Sequence, residues 1–139
     1  MTGSGPNTSI LKPKFLNVDL EIRSTAKLDA LAIDLGKDVI VLYSGPAGKS
    51  GQQLLVLESS QCFLKTPEAV IHSLGSALKK LSPASQRIWK RARKRFDVGY
   101  ELTAKERHSQ FSLRAKTLKH LVEWDATLAV TYYRGEESD

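Results

Sequence analysis

The chain of 139 residues has one cysteine, one methionine and few aromatic residues, which make up 7% of the sequence. Because Cys62 has no second cysteine to join, an internal disulfide and a thiolate zinc cluster are both excluded. Long hydrophobic runs are missing as well. The longest strongly apolar segment, Val39 to Tyr43, is far shorter than the ~20 residues that cross a bilayer as a helix. These absences predict a cytoplasmic protein with no transmembrane segment.

The overall composition is typical of a folded domain. Hydrophobic residues make up 41% of the chain and charged residues 26%, whereas disordered chains are poorer in apolar residues. The length suits one domain with one core. We expect a flexible N-terminal segment over residues 1–14, a single α+β domain over 15–134 and an acidic C-terminal tail over 135–139.

Hydrophobic periodicity predicts ten elements in the order βαββααββαβ. The clearest is a strand in which Leu16, Val18, Leu20 and Ile22 point inward and alternate with polar residues. Two of the helices begin with a capping residue followed by proline, which is a common helix start. The predicted strands cover residues 16–23, 39–43, 54–57, 96–102, 111–113 and 128–132, and the predicted helices cover 25–35, 67–81, 84–95 and 115–124.

Strands with one apolar face that alternate with amphipathic helices favour an α+β, two-layer sandwich. We expect a mixed, mostly antiparallel sheet with the helices on one face. The first elements match a ferredoxin-like βαββαβ core, to which a βαβ extension is added. The other face of the sheet would then be polar and open to a partner. The residues predicted on this open sheet face are Asn17, Asp19, Glu21, Asp97 and Glu101.

The charge distribution is the main anomaly of the sequence. Of the 21 lysines and arginines, eight lie between Lys79 and Arg95 with no acidic residue among them, whereas the 13 others are outnumbered by 15 acidic residues. On the predicted helix over 84–95, a basic face forms opposite an apolar one. Such a face suits a nucleic-acid backbone, an anionic membrane or an acidic protein, and an ordinary solvated helix face is the alternative. The candidate binding residues are Arg87, Lys90, Arg91 and Lys94, with Trp89 at the border of the basic face.

No motif nominates a catalytic residue. Gly48-Lys49-Ser50 resembles the end of a phosphate-binding loop, but Tyr43 stands where that motif requires glycine, and a strand-like segment follows instead of a helix. A flexible hairpin loop is the better interpretation. The three histidines lack the spacing of metal ligands, and nothing identifies a base for Cys62. We therefore assign no catalytic residue, no metal ligand and no cofactor.

The C-terminal third resembles a family of uncharacterised bacterial proteins that share a domain of unknown function. The similar segments are 96–101, 111–113, the helix around Thr117-Leu118 and 128–133. The resemblance implies a bacterial cytoplasmic protein and carries no functional residues. Family members often have glycine where this chain has Asp125 at the end of the last helix, so the helix stop is expected to differ.

Three functions remain open from the sequence. The leading hypothesis is a non-enzymatic binding module that recognises a protein, an acidic one in particular, through the basic helix or the open sheet face. A second copy of the chain is one such partner. The first alternative is a nucleic-acid-binding domain that uses the basic helix over 84–95 on phosphates. The second alternative is an enzyme with an unidentified site.

Overall fold

The computed structural model describes residues 14–102 and 110–135. Most of the predicted flexible N-terminal segment, residues 103–109 and all but the first residue of the predicted acidic tail lie outside these ranges. Within them the elements are β1 (Lys14–Ser24), α1 (Asp29–Leu35), a short 3-10 helix (Gly36–Asp38), β2 (Val39–Pro46), β3 (Gln53–Ser59), α2 (Pro67–Leu78), α3 (Pro83–Arg91), β4 (Arg93–Leu102), α4 (Ala115–Glu123) and β5 (Ala126–Arg134).

The strands form one five-stranded sheet in the order β2-β3-β1-β4-β5. The pairs β2–β3, β3–β1 and β1–β4 are antiparallel, while β5 is parallel to β4 and is reached through α4. The predicted α+β class and the mixed, mostly antiparallel sheet are therefore confirmed. Among the described residues, no helix is long and apolar enough to cross a membrane.

The core lies between the sheet and the helices, because β1, β3 and β4 turn their alternate apolar residues to the same side. Helix α2 packs against β1 and β3, α1 against β2, and α4 against β5. The residues that form the core are almost fully buried. Alternation places those on strands on the inner face of the sheet, and helical spacing places those on α1 and α2 on the inner face of each helix. The largest core residues are Phe96, Leu20, Ile22, Leu31, Leu35, Leu55, Leu57, Ile71 and Leu74.

Two helices begin as their sequences predict. The Thr66 hydroxyl accepts a hydrogen bond from the Ala69 amide (3.1 Å) at the start of α2, and the Ser82 hydroxyl accepts one from the Ser85 amide (3.2 Å) at the start of α3. The Ser82 amide also donates to the Asp34 carboxylate at 2.9 Å. This bond lowers the pKa of Asp34 and ties α1 to the first turn of α3.

The predicted end of the basic helix is wrong. Helix α3 stops at Arg91, and β4 begins at Arg93, which pairs with Arg23 of β1. Alanine, lysine and arginine favour a helix locally, and the pairing of this segment with β1 overrides that preference. Lys94 and Arg95 consequently lie on a strand and point to opposite faces of the sheet.

The predicted strand over 111–113 is also wrong, since residues 110–114 form no regular structure. Phe111 instead packs edge-on against Tyr100, with the ring centroids 6.1 Å apart. The extension after β4 is thus an αβ unit in the described residues. At the same end of the sheet, a register shift between Phe15 and Asn17 leaves Leu16 43% exposed and turns Phe15 toward the core instead.

Candidate functional site: a cleft lined by arginines

A cleft of ≈ 500 Å³ lies beside the end of β1, between the loop that follows this strand and helix α3. Four arginines line it, and we call them the arginine cluster: Arg23, Arg87, Arg91 and Arg93. The remaining lining residues are Ser24, Thr25, Ala26, Gln52, Ala84 and Ile88, so no acidic side chain of residues 14–102 or 110–135 takes part.

Three elements bring the arginine cluster together. Arg23 of β1 and Arg93 of β4 are directly opposite each other in the antiparallel pair, which places their Cβ atoms about 5 Å apart on one sheet face. Arg87 and Arg91 lie four residues apart on α3 and therefore share one side of this helix. All four side chains belong to exposed residues.

A second cleft of ≈ 540 Å³ adjoins the first and shares Arg23, Arg91 and Arg93 with it. It adds Lys90, Lys94 and Arg95 to the basic lining, together with two acidic residues, Glu21 and Asp125. Because the two clefts share three arginines, they form one continuous surface. We refer to both clefts together as the basic groove.

The arginine cluster has no acidic partner among the described residues. The ion pairs found there are Lys80–Asp38, Arg114–Glu68 and His120–Glu123. Like charges that face each other across a strand pair repel. The two acidic residues of the groove, Glu21 and Asp125, form no ion pair with the arginine cluster in the described ranges. The groove therefore has the electrostatic character of a site for an anion with several negative charges.

Of the residues predicted on the basic face, Arg87, Lys90 and Arg91 line the basic groove. Lys94 also borders the second cleft, but its side chain is almost fully buried. It lies on β4 with only 4% of its surface exposed, and its ammonium donates to the backbone carbonyl of Trp89 at 2.8 Å. Trp89 itself is 7% exposed and does not line the groove.

Burial lowers the pKa of the Lys94 ammonium, and the charge of Asp125 opposes this shift in part. The ammonium also bonds the Lys90 carbonyl at 3.5 Å, so it occupies carbonyls at the end of α3. Lys94 therefore supports the helix instead of presenting a charge to a ligand.

Sequence reasoning missed Arg23 and did not nominate Arg93. Arg23 ends the alternating strand β1, far along the chain from the other arginines, and only the β1–β4 pairing brings it to them. A signal for Arg93 did exist. Counting back in steps of two from Phe96 places Lys94 on the buried face, and hence Arg93 and Arg95 on the opposite one.

The open sheet face carries the acidic residues that were predicted there. Asp19 and Asp97 are directly opposite each other on β1 and β4, and Glu58 of β3 joins them, which the sequence did not indicate. The Asn17 amide donates to Asp19 at 3.0 Å and also to Glu58. Two further predicted members, Glu21 and Glu101, pair with Arg95 and Lys14 in the β1–β4 register.

Crowding affects the titration of this acidic group. Burial, followed by the charges of Glu58, Asp97 and Glu21, raises the pKa of Asp19 to about 6. Asp97 also accepts a hydrogen bond from the Thr131 hydroxyl at 2.7 Å. Within the described residues, no group of three or more potential ligands has the geometry to hold a metal ion.

The features that first suggested enzymatic chemistry lie apart from one another. Cys62 is exposed, and it lines neither cleft of the basic groove. Gly48-Lys49-Ser50 forms the turn between β2 and β3, where Gly48 has a positive φ of 62°. No helix follows this turn directly, so it lacks the architecture of a phosphate-binding loop.

Comparisons with family models, with curated proteins and with solved structures give no match for the chain. The resemblance of the C-terminal third to a bacterial domain of unknown function therefore stays a prediction.

Proposed function

We propose that this chain is a nucleic-acid-binding domain that holds the phosphate backbone in the basic groove. The observation that carries the proposal is the convergence of four arginines from β1, α3 and β4 in a cleft without an acidic residue. Electrostatic contacts of this kind dominate the affinity of most nucleic-acid-binding proteins.

The chemistry of the lining supports phosphate as the group that is bound. A guanidinium presents two parallel N–H donors that match two phosphate oxygens, and arginine keeps its charge at every physiological pH. Ser24, Thr25 and Gln52 add neutral hydroxyl and amide groups to the same cleft. Side chains of these types commonly supplement arginine in backbone contacts.

The groove favours a double helix over unpaired bases. Proteins that bind single strands stack successive bases on aromatic rings, and no aromatic side chain lines either cleft of the basic groove. A surface that offers charge without stacking reads the backbone and not the sequence. The proposed ligand is therefore duplex nucleic acid, bound with little base preference.

The proposal is tested by fluorescence anisotropy with a labelled duplex of mixed sequence and about 20 base pairs. Each phosphate neutralised contributes a slope of about −0.9 to the plot of log affinity against log salt, so four contacts predict a slope of roughly −3 to −4. The double variant Arg23→Gln/Arg91→Gln should lose at least about tenfold in affinity at low salt.

The matched control is Lys37→Gln/Lys119→Gln, which removes the same charge from exposed positions outside the basic groove. We expect it to change the affinity by less than about threefold, because distant charges are screened. Equal losses in both double variants, or an affinity that does not depend on salt, would contradict the proposal.

A second candidate function is protein binding at the β2 edge of the sheet. Ile40, Val41, Leu42 and Tyr43 are 44–49% exposed, and β2 is an edge strand without charged residues. Proteins usually protect such edges, whereas binding partners add a strand to them. A second copy of this chain is the partner that can be tested directly.

Sedimentation velocity over a hundredfold concentration range tests this second candidate. Self-association that Val41→Lys abolishes and Ile33→Lys leaves intact would support it. Ile33 is a suitable control because it is also exposed, at 77%, but lies on α1. A monomer at every concentration would remove the second copy as the partner.

A further inference from the structure

A cavity of ≈ 410 Å³ lies between helices α2, α3 and α4 and shares no lining residue with the basic groove. Its volume falls within the range of small-molecule sites, about 300–1,000 Å³. Six of the residues that line it define its chemistry: His72, Lys79, Trp89, Lys116, His120 and Trp124.

The apolar part of the cavity is built on both tryptophans of the chain. Trp89 is 7% exposed, and Leu78 and Leu81 beside it are 8% and 5% exposed. Trp124 stacks with Phe96, at 5.6 Å between ring centroids, and with His120, at 5.5 Å. These contacts hold the rings in place, so the wall of the cavity is formed before any ligand arrives.

Gly75 of α2 shapes the same wall. A Cβ atom at this position would lie 2.8 Å from Cη2 and 2.9 Å from Cζ2 of Trp124, which is closer than carbon atoms can approach. Glycine inside a helix costs about 0.5–1 kcal/mol relative to alanine. Its presence in α2 allows the indole of Trp124 to lie directly against the helix backbone.

The polar part of the cavity is cationic. Lys79 caps the end of α2, and Lys116 lies in the first turn of α4. Neither forms an ion pair within the described ranges, and no carboxylate lines the cavity. Glu123, which lies 3.4 Å from Nδ1 of His120, is outside the lining.

We propose that this cavity binds a small aromatic carboxylate. The ring system would lie against Trp89 and Trp124, and the carboxylate would face Lys79 and Lys116. Aromatic walls favour a flat ring over a flexible alkyl chain, and two unpaired ammonium groups favour an anion over a neutral or cationic molecule.

The test uses 1-naphthoate as the probe and 1-naphthamide, its neutral counterpart of nearly equal shape, as the control ligand. Binding is followed by NMR through the two indole N–H signals, since both tryptophans line the cavity. Naphthoate should shift both signals in a saturable manner, and naphthamide should bind about tenfold more weakly because it lacks the charge.

The variant Lys79→Gln/Lys116→Gln should remove this preference, so that both probes bind with equal, weak affinity. Both lysines are exposed, and the variant is expected to fold. The control Lys37→Gln/Lys119→Gln should retain the preference of the wild type.

Three results would each overturn the proposal: no shift of the indole signals, equal binding of the two probes by the wild type, or an unchanged preference in the Lys79/Lys116 variant. The duplex-binding experiment is independent of all three.

Discussion

The ammonium nitrogen of Lys94 lies 2.8 Å from the carbonyl oxygen of Trp89 and 5.0 Å from the centroid of the same residue's indole ring. The C-terminal end of α3 thus contacts a buried ammonium group, which belongs to Lys94 of the next strand, β4. The contact satisfies a carbonyl at the end of the helix, where the negative end of the helix dipole lies. It also fixes the tight connection between α3 and β4, and with it the positions of Arg91 and Arg93 on either side.

Replacing Lys94 with alanine should lower the free energy of unfolding by about 2–4 kcal/mol. The change removes a buried side chain and weakens the hydrogen bonding of the Trp89 carbonyl. Urea denaturation measures the effect, with Lys90→Ala as the control. Lys90 is exposed on the same helix, and its loss should change the stability by less than about 0.5 kcal/mol. A stability of Lys94→Ala equal to that of the control would contradict the structural role.

Replacing Arg93 with glutamine should stabilise the fold while it weakens duplex binding. Arg23 and Arg93 are directly opposite each other with like charges, and relief of this repulsion is worth roughly 0.2–1 kcal/mol. The gain should shrink in 1 M salt, where the screening length falls to about 3 Å. Thermal denaturation at low and high salt measures it. If Arg93→Gln were less stable than the wild type at low salt, repulsion between Arg23 and Arg93 would not destabilise the fold.

Asp19 should make the protein more stable in mild acid than at neutral pH. Its pKa is raised to about 6 in the folded state, from an ordinary value of 3.8. A raised carboxyl pKa contributes stability that is complete below pH 3.8 and is lost as the pH rises through 6. Since the side chain is only half-buried, solvent screening limits the effect to about 1–2 kcal/mol.

The variant Asp19→Asn isolates this contribution. At pH 7 it should be more stable than the wild type by about 1 kcal/mol, and the difference should disappear near pH 4. Urea denaturation at four or five pH values provides the comparison. A difference that is constant across the range would show that the charge of Asp19 is not the cause.

Asp125 has a left-handed backbone conformation, with φ of 52°, directly after Trp124, which caps α4. Glycine adopts this conformation freely, aspartate tolerates it, and a β-branched residue does not. Asp125→Gly should therefore be as stable as the wild type or slightly more stable, whereas Asp125→Val should lose about 1–2 kcal/mol. Thermal denaturation of the two variants checks the order, and Asp125→Val matching Asp125→Gly would contradict the conformation.

Several parts of the fold could be predicted because their causes are local. The capping residues Thr66 and Ser82 stand directly before prolines and start α2 and α3 as expected. Strict alternation from Val18 to Ile22 identified β1 and its buried face. Such features depend on a few neighbouring residues, and no distant contact is needed to explain them.

The errors arose where long-range contacts decide the local conformation. The segment after Arg91 is rich in lysine and arginine, which favour a helix locally, but the pairing of β4 with β1 overrides this preference. At the start of β1, the bulge turns Phe15 toward the core, where its ring contacts Tyr100, and leaves Leu16 exposed. The spacing of apolar residues, with a period of two in strands and 3.6 in helices, carries no information about β-bulges of this kind.

The amino-acid sequence alone determined the class of the fold, the buried faces of its main strands and the local excess of positive charge, because each follows from the order of apolar, polar and charged residues along a short segment. Tertiary structure decided which of those charges meet. Arg23 reaches Arg93 through a strand pairing between distant parts of the chain, while Lys94, the neighbour of Arg93 in sequence, points to the buried face of the same strand. Long-range pairing selects one register among many, and that choice is made by the packing of the whole core.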